Sequence, residues 1–210
     1  GHVDLMEFYE DISGLLTGYY IALAVLNGIA AWAVWHYGRR IPAGATGRHH
    51  LWKSLVWLLL AVFFAVLAVT AAGPDPVSIQ RIAIPDAAKQ WLDVAVRPTW
   101  FMLGTLVLLS VLFLGRRFFV RPAVAWSGLN LGLLFLGLSL TDPDFARIVG
   151  KSDNVPIVAM LFLLGFFTWL ATYRAVENDR RLEMGQPTVE EEESEKVLVW
   201  PDLVYIELIC

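Results

Sequence analysis

Five stretches of this chain contain no Asp, Glu, Lys, Arg or His: Leu15 to Trp35, Ser54 to Gly73, Pro98 to Gly115, Pro122 to Thr141 and Val155 to Tyr173. A bilayer core about 30 Å thick needs roughly 20 apolar residues at 1.5 Å of rise each, so each stretch has the length to span one. The same absence removes the buried ionisable groups that build proton relays, ion paths and haem sites at membrane depth. Cysteine is nearly missing, with Cys210 the only one. No disulfide, Cys-based zinc site or Cys-x-x-Cys-His haem attachment can therefore form within these residues. Histidine is scarce: of His2, His36, His49 and His50, only His36 lies at a span end. Two axial imidazoles from facing helices, as a haem b requires, cannot be placed. Paired carboxylates for metal or acid/base chemistry are absent from the spans. So are a glycine-rich phosphate loop, a nucleophile elbow and a metal-binding helix motif. No secretory signal is legible before Met6, which reads as an alternative start.

What is present is apolar. Hydrophobic residues make up 57% of the 210 and mean hydropathy is +0.58, above the roughly half-apolar composition of a globular domain. The fold class expected is all-α, a polytopic integral membrane bundle of about five transmembrane helices. Its orientation follows from basic residues near the span ends. Arg39, Arg40, Arg48, Lys53, Arg116, Arg117, Arg121, Arg174, Arg180 and Arg181 fall on one side, against Arg81, Lys89, Arg97, Arg147 and Lys151 on the other. Ten against five predicts the N-terminus outside and the C-terminus cytoplasmic. The acidic start, with Asp4, Glu7, Glu10 and Asp11 and no Lys or Arg, agrees.

The expected organisation is an extracytoplasmic segment over 1–11, a five-helix membrane domain over 12–173, a cytoplasmic helix and acidic linker over 174–196, and an apolar tail over 197–210. Trp35, Trp52, Trp57, Trp100, Trp169 and Trp200 lie near span ends, where indole rings anchor in headgroups. The loop from Pro74 to Arg97 contains an amphipathic helix, with Asp86 as its expected cap and Ala88, Trp91, Leu92 and Ala95 at helical spacing. Such a helix lies in the outer interface or docks on a partner, which makes Trp91 and Leu92 partner-contact candidates. Thr141-Asp142-Pro143-Asp144 is a turn and cap signal. The fifth span is expected to run on as a helix through Met184 and to stop at Gly185. Glu177 and Arg181 offer an i, i+4 pair on that extension. Glu190 to Lys196 reads as a solvated, flexible charge run. The tail, from Val197 on, reads as the beginning of a further membrane helix or as a docking segment.

Asn27 and Asn130 are the strongest polar groups inside the spans, beside Thr17, Thr105, Ser110, Ser127 and Ser139. Bridging between helices is the first reading for all of them, and a quinone or lipid contact the sharper one. Gly14-x-x-x-Gly18 and Gly128-x-x-x-Gly132 allow close helix approach. Arg39, Arg40, Arg116 and Arg117 are placed to meet anionic lipid headgroups. With a net charge of −4 and arginines at membrane edges, no nucleic-acid-binding stripe forms.

Trp200-Pro201-Asp202-Leu203-Val204-Tyr205 resembles the cytoplasmic-side approach to the first helix of subunit IV, the C-terminal half of the split cytochrome b in cytochrome b6f and related bacterial bc complexes. The wider stretch from Asn154 to Leu208 is similar to a leader in bacterial bc-complex proteins whose extra membrane helices precede that half. The family's quinol-oxidation loop, Pro-Glu-Trp-Tyr-like or Pro-Trp-Tyr-Phe-like, is absent, as are the haem-ligating histidines of the other half. The resemblance implies an accessory, non-catalytic subunit of a quinol:cytochrome c oxidoreductase in a bacterial inner membrane. Haem b, haem c and quinone would be held by cytochrome b-like and cytochrome c-like partners, and no cofactor by this chain. Trp200, Pro201, Asp202 and Tyr205 would be contact residues, with membrane lipids around the bundle. The alternative from another class is a small membrane transporter or channel, which calls for broken spans and midplane polar groups. A lipid-modifying membrane enzyme, needing an essential carboxylate or histidine near the interface, is the third reading.

Overall fold

The computed structural model describes residues 5–38, 49–73, 77–192 and Leu208. Every regular element among the described residues is helical. In chain order these are α1 (Leu5–Gly38), α2 (His49–Ala71), α3 (Val77–Gln80), α4 (Asp86–Ala95), α5 (Pro98–Leu114), α6 (Arg116–Phe119), α7 (Pro122–Ser139), α8 (Pro143–Val149), α9 (Asn154–Glu183) and α10 (Val189–Glu192). Four of them, α1, α2, α7 and α9, are long and apolar enough to cross a membrane. The number is five if α4 and α5, joined at an 83° bend, count as one span. Among the described residues the chain divides into two compact units. The first comprises residues up to Thr105 with Trp126–Ala159, and the second Leu106–Ala125 with the residues from Met160 on.

The first unit is built on a hairpin of α1 and α2. Leu16, Tyr20, Leu23, Asn27 and Ala31 form the buried stripe of α1, and Trp57, Ala61, Phe64, Ala68 and Ala71 that of α2. Both repeat every three or four residues, the spacing that keeps one helical face on a neighbour. Lipid tails are as apolar as these side chains, so no hydrophobic force drives the pairing. What holds it is fit: the buried stripe of α2 carries Phe64 among alanines, and the Tyr20 ring of α1 stacks on Phe64 with centroids 6.4 Å apart. Ser54 closes the hairpin near its loop by donating to the Ala31 carbonyl at 2.8 Å. At the other end α3 folds back and buries Ile79 against the same cluster. Gly73 packs closely there, since a Cβ on it would lie 2.9 Å from the Ser78 hydroxyl oxygen. Trp57 thus belongs to the hairpin core, at 8% exposure, and not to the headgroup anchors. Trp52 and Trp100 do stay exposed.

α7 joins this hairpin through side chains from α1. Gly137 faces Tyr19 and Tyr20, and a Cβ there would lie 2.7 Å from a Tyr19 ring carbon. Tyr19 donates its hydroxyl to the Leu133 carbonyl. The close approach therefore uses Gly137, whereas Gly14, Gly18 and Gly128 have open space where a Cβ would go.

α8 begins as the sequence predicts. Asp142 is its N-cap and accepts from the backbone N–H groups of Asp144 and Phe145, with Pro143 at the first helical position. α4 differs: Pro85 occupies the cap position in an extended conformation, which puts Asp86 inside the first turn. There its charge meets the helix N-terminus without making a cap hydrogen bond.

In the second unit, α6 makes a short turn between α5 and α7. The Trp169 indole donates to the Val120 carbonyl at 3.2 Å, and Val176 is the buried residue of α9. α9 ends as expected: Gly185 has φ of +68°, and the N–H groups of Gly185 and Gln186 return to the carbonyls of Leu182 and Arg181. This is the two-bond stop that a left-handed glycine permits. The acidic run keeps Glu190, Glu191 and Glu192 exposed but starts as a helical turn. Residues 189–192 form α10, fastened to α9 because the Asn178 amide donates to Glu190 and Arg181 pairs with Glu192. The remainder of the linker, 193–196, lies outside the described residues.

Candidate functional site

The polar groups that sequence marks inside the spans come together at one point of the first unit. Asn27 is fully buried and Asn130 nearly so. The Asn27 amide donates to the Asn130 side-chain oxygen at 2.7 Å and to the Leu23 carbonyl at 2.9 Å. Its oxygen accepts from the Trp126 indole N–H at 3.0 Å, and the Asn130 amide donates to the Trp126 carbonyl at 2.9 Å. An unpaired amide in hydrocarbon is costly, so each group is spent on another. The cluster works as a clasp between α1 and α7. Trp126 is the member that sequence reading leaves out; its one signal is its position four residues before Asn130.

The hydroxyls expected to bridge helices mostly do not. Thr17, Thr105 and Ser110 each donate to the carbonyl four residues back on their own helix, at 2.7–2.8 Å. This satisfies the hydroxyl locally and leaves no link to a neighbour. About two helical turns from Asn27 on α1, the Tyr20 hydroxyl is buried without a hydrogen-bond partner. Gly137 approaches it closely.

At the α1 N-terminal end of the same unit, Lys89 of α4 donates to Asp142 at 2.7 Å. Burial alone would push the Asp142 carboxyl up, but the Lys89 ammonium and the Phe145 and Asp144 N–H groups outweigh it and hold it below the ordinary range. The hydrogen bond to Asp142 correspondingly raises Lys89. A groove of about 540 Å³ opens nearby, walled by Leu15, Leu140 and Val155, with Asp11, Asp144 and Arg147 as its charged lining. Arg147 and Asp144 pair with each other at 2.9 Å. The groove is apolar, and no nucleophile and base converge in it.

In the second unit, two of the arginines assigned to lipid headgroups, Arg116 and Arg117, hold carboxylates. Arg116 pairs with Asp179 at 3.0 Å and lies over the Phe113 ring, and Arg117 pairs with Glu183. Glu183 raises Arg117 further, chiefly through the hydrogen bond. Glu190 is lowered by its own backbone N–H and by the Asn178 amide. Arg39, Arg40, Trp200, Pro201, Asp202 and Tyr205 lie outside the described residues. His36 stacks on Trp32, with centroids 5.0 Å apart. Among the described residues no group of three His, Cys, Asp or Glu is placed to hold a metal ion.

Trp91 and Leu92 separate on α4. Trp91 is 69% exposed, while Leu92 is half-buried on the face that carries Lys89.

The class these features define is a protein whose described residues are all-helical where regular, with four to five helices among them fit to cross a membrane and a clasp made by two buried asparagines and the part-buried Trp126. Compared with known proteins, the chain matches no family model, no curated protein and no solved structure.

Proposed function

We propose that this chain is a non-catalytic integral subunit of a membrane electron-transfer complex of the cytochrome bc or b6f type, packed against a cytochrome b-like partner. The resemblance of Trp200-Pro201-Asp202-Leu203-Val204-Tyr205 to the approach to subunit IV motivates the reading. One structural observation supports it most. The crossing stretch of α9, the helix that leads toward that segment, has none of its residues buried within the chain. A surface of this kind is available to lipid or to a partner's helices. The chain would supply scaffold and lipid seal, while haem b, haem c and quinone reside in cytochrome b-like and cytochrome c-like neighbours. In this reading the membrane is the bacterial inner membrane, with the N-terminus outside and the C-terminus cytoplasmic.

The test is a reduced-minus-oxidised optical spectrum of material drawn from native membranes through this chain in mild detergent. Stoichiometric b-type and c-type haem bands are expected. A featureless spectrum from a stable, isolated chain would overturn the proposal and bring transport or lipid chemistry forward.

A further inference from the structure

The amphipathic helix α4 has one apolar arc that is only half used. At about 100° per residue, Val94, Ala87, Trp91, Ala95, Ala88 and Leu92 follow one another around one side. Asp86, Gln90, Asp93, Lys89 and Arg97 fill the other. Ala88, Leu92 and Ala95 are half-buried, as is Lys89, whose ammonium reaches Asp142. Ala87, Trp91 and Val94 form the other edge of the arc and stay exposed, Trp91 at 69% and Val94 at 43%.

Two further observations say what meets that edge. The chain turns by 83° between α4 and α5, across only Val96 and Arg97. α5 is apolar along its length and has no buried residue. If α5 runs across the bilayer, α4 lies close to the membrane plane, level with the first turn of α5, where Trp100 and Phe101 are 60% and 62% exposed. The exposed edge of α4 is then continuous with a surface that faces lipid. An edge of three residues is also far smaller than the roughly 20–30 residues a side of a stable protein interface, whereas indole and aliphatic groups on a flat amphipathic helix suit the boundary between headgroups and acyl chains.

We infer that α4 is an interfacial helix, seated in the bilayer surface on the side of the α1 N-terminus, with Ala87, Trp91 and Val94 in the lipid and its roll about the helix axis set by the Lys89–Asp142 ion pair. The inference rests on the chain's spanning a membrane and is independent of the electron-transfer reading. It selects the lipid surface over a protein partner for Trp91 and assigns Leu92 to the chain's own packing.

The test uses the full chain with Cys210→Ser, so that single cysteines carry the only label. Ala87→Cys, Trp91→Cys and Val94→Cys probe the edge, and Asp86→Cys, Gln90→Cys and Asp93→Cys probe the polar side. Each is spin-labelled and reconstituted in vesicles of phosphatidylethanolamine and phosphatidylglycerol. Relaxation by oxygen reports lipid exposure, and relaxation by a water-soluble nickel chelate reports water. The expected pattern is a several-fold higher ratio of oxygen to nickel accessibility at 87, 91 and 94 than at 86, 90 and 93. Equal nickel accessibility at all six positions would overturn the seat in the membrane. Edge positions closed to both reagents would overturn it too and would mark a face covered by protein. Lys89→Met should flatten the alternation, and an unchanged pattern would remove the ion pair from the assignment.

Discussion

α2 and α9 read much alike in sequence, two long helices each with an uncharged stretch fit to cross a membrane, yet 33% of the crossing stretch of α2 is buried within the chain and none of that of α9. The difference lies in the order of large and small side chains. On α2 the alanines at 61, 68 and 71 share a buried stripe with Phe64, on whose ring Tyr20 of α1 stacks. On α9 bulky residues such as Leu161, Leu164, Phe166 and Phe167 surround the helix and all are exposed, while Gly165 meets nothing. Apolarity makes both helices fit to cross a membrane. Where tails and side chains are equally apolar, only shape decides which helix finds a neighbour inside the chain.

The comparison breaks most easily at its phenylalanines. Phe64→Ala empties a site at 0% exposure and should cost about 3 kcal/mol. Phe166→Ala, at 50% exposure, should cost under about 1 kcal/mol. Reversible unfolding of both variants in mixed micelles checks this, and equal losses would mean that α9 is packed as tightly as α2.

Asp142→Ala removes a cap and an ion-pair partner together and should cost about 1–2 kcal/mol. Lys89→Met, which removes only the pair, should cost less than about 1 kcal/mol, because both partners are roughly a third exposed and water screens them. The folded carboxyl of Asp142 lies below its unfolded value. Its contribution is therefore complete above about pH 4 and is lost as pH falls through the folded value. Lys89 is raised, so its contribution is complete below about pH 10 and is lost only at higher pH, through its folded value. Wild type and Lys89→Met should accordingly differ by a constant amount from about pH 5 to pH 10 and converge in acid. A gap that widens in acid would contradict the pairing.

A double-mutant cycle on Asn27→Leu and Asn130→Leu should return a coupling of about 1 kcal/mol. Additive losses would mean that the two amides do not bond. The smallest effect belongs to the second unit, where the pair of Arg116 with Asp179 is about a third exposed. Arg116→Gln should shift stability by less than about 1 kcal/mol, and by less still in high salt. A loss as large as that of Asp142→Ala would show that α9 depends on this pair.

Much of the fold was legible without coordinates. The start of α7 at Pro122, the Asp142 cap and the Gly185 stop each depend on residues next to one another in the chain. Asn27 and Asn130 stood out because amides in apolar helices need partners, but their joining to Trp126 required knowing that α1 and α7 meet there. Trp57 shows the limit from the other direction. Near a span end it reads as a headgroup anchor, and its buried place follows only from the stripe it shares with Ala61, Phe64 and Ala68. For Arg116 and Arg117 the sequence shows the charge, and only the tertiary structure shows the Asp179 and Glu183 that α9 brings to them.

What the sequence determined by itself is the helical, membrane-compatible character of the chain and a few local starts and stops, such as the Asp142 cap and the Gly185 stop, because hydropathy, proline, glycine and capping residues act over a few neighbouring positions. Only the tertiary structure decided which glycine lets helices close together, which arginines are paired, and which edge of α4 is left open. Those depend on residues tens of positions apart meeting face to face, and side chains that are apolar on every side carry no mark of which face that will be.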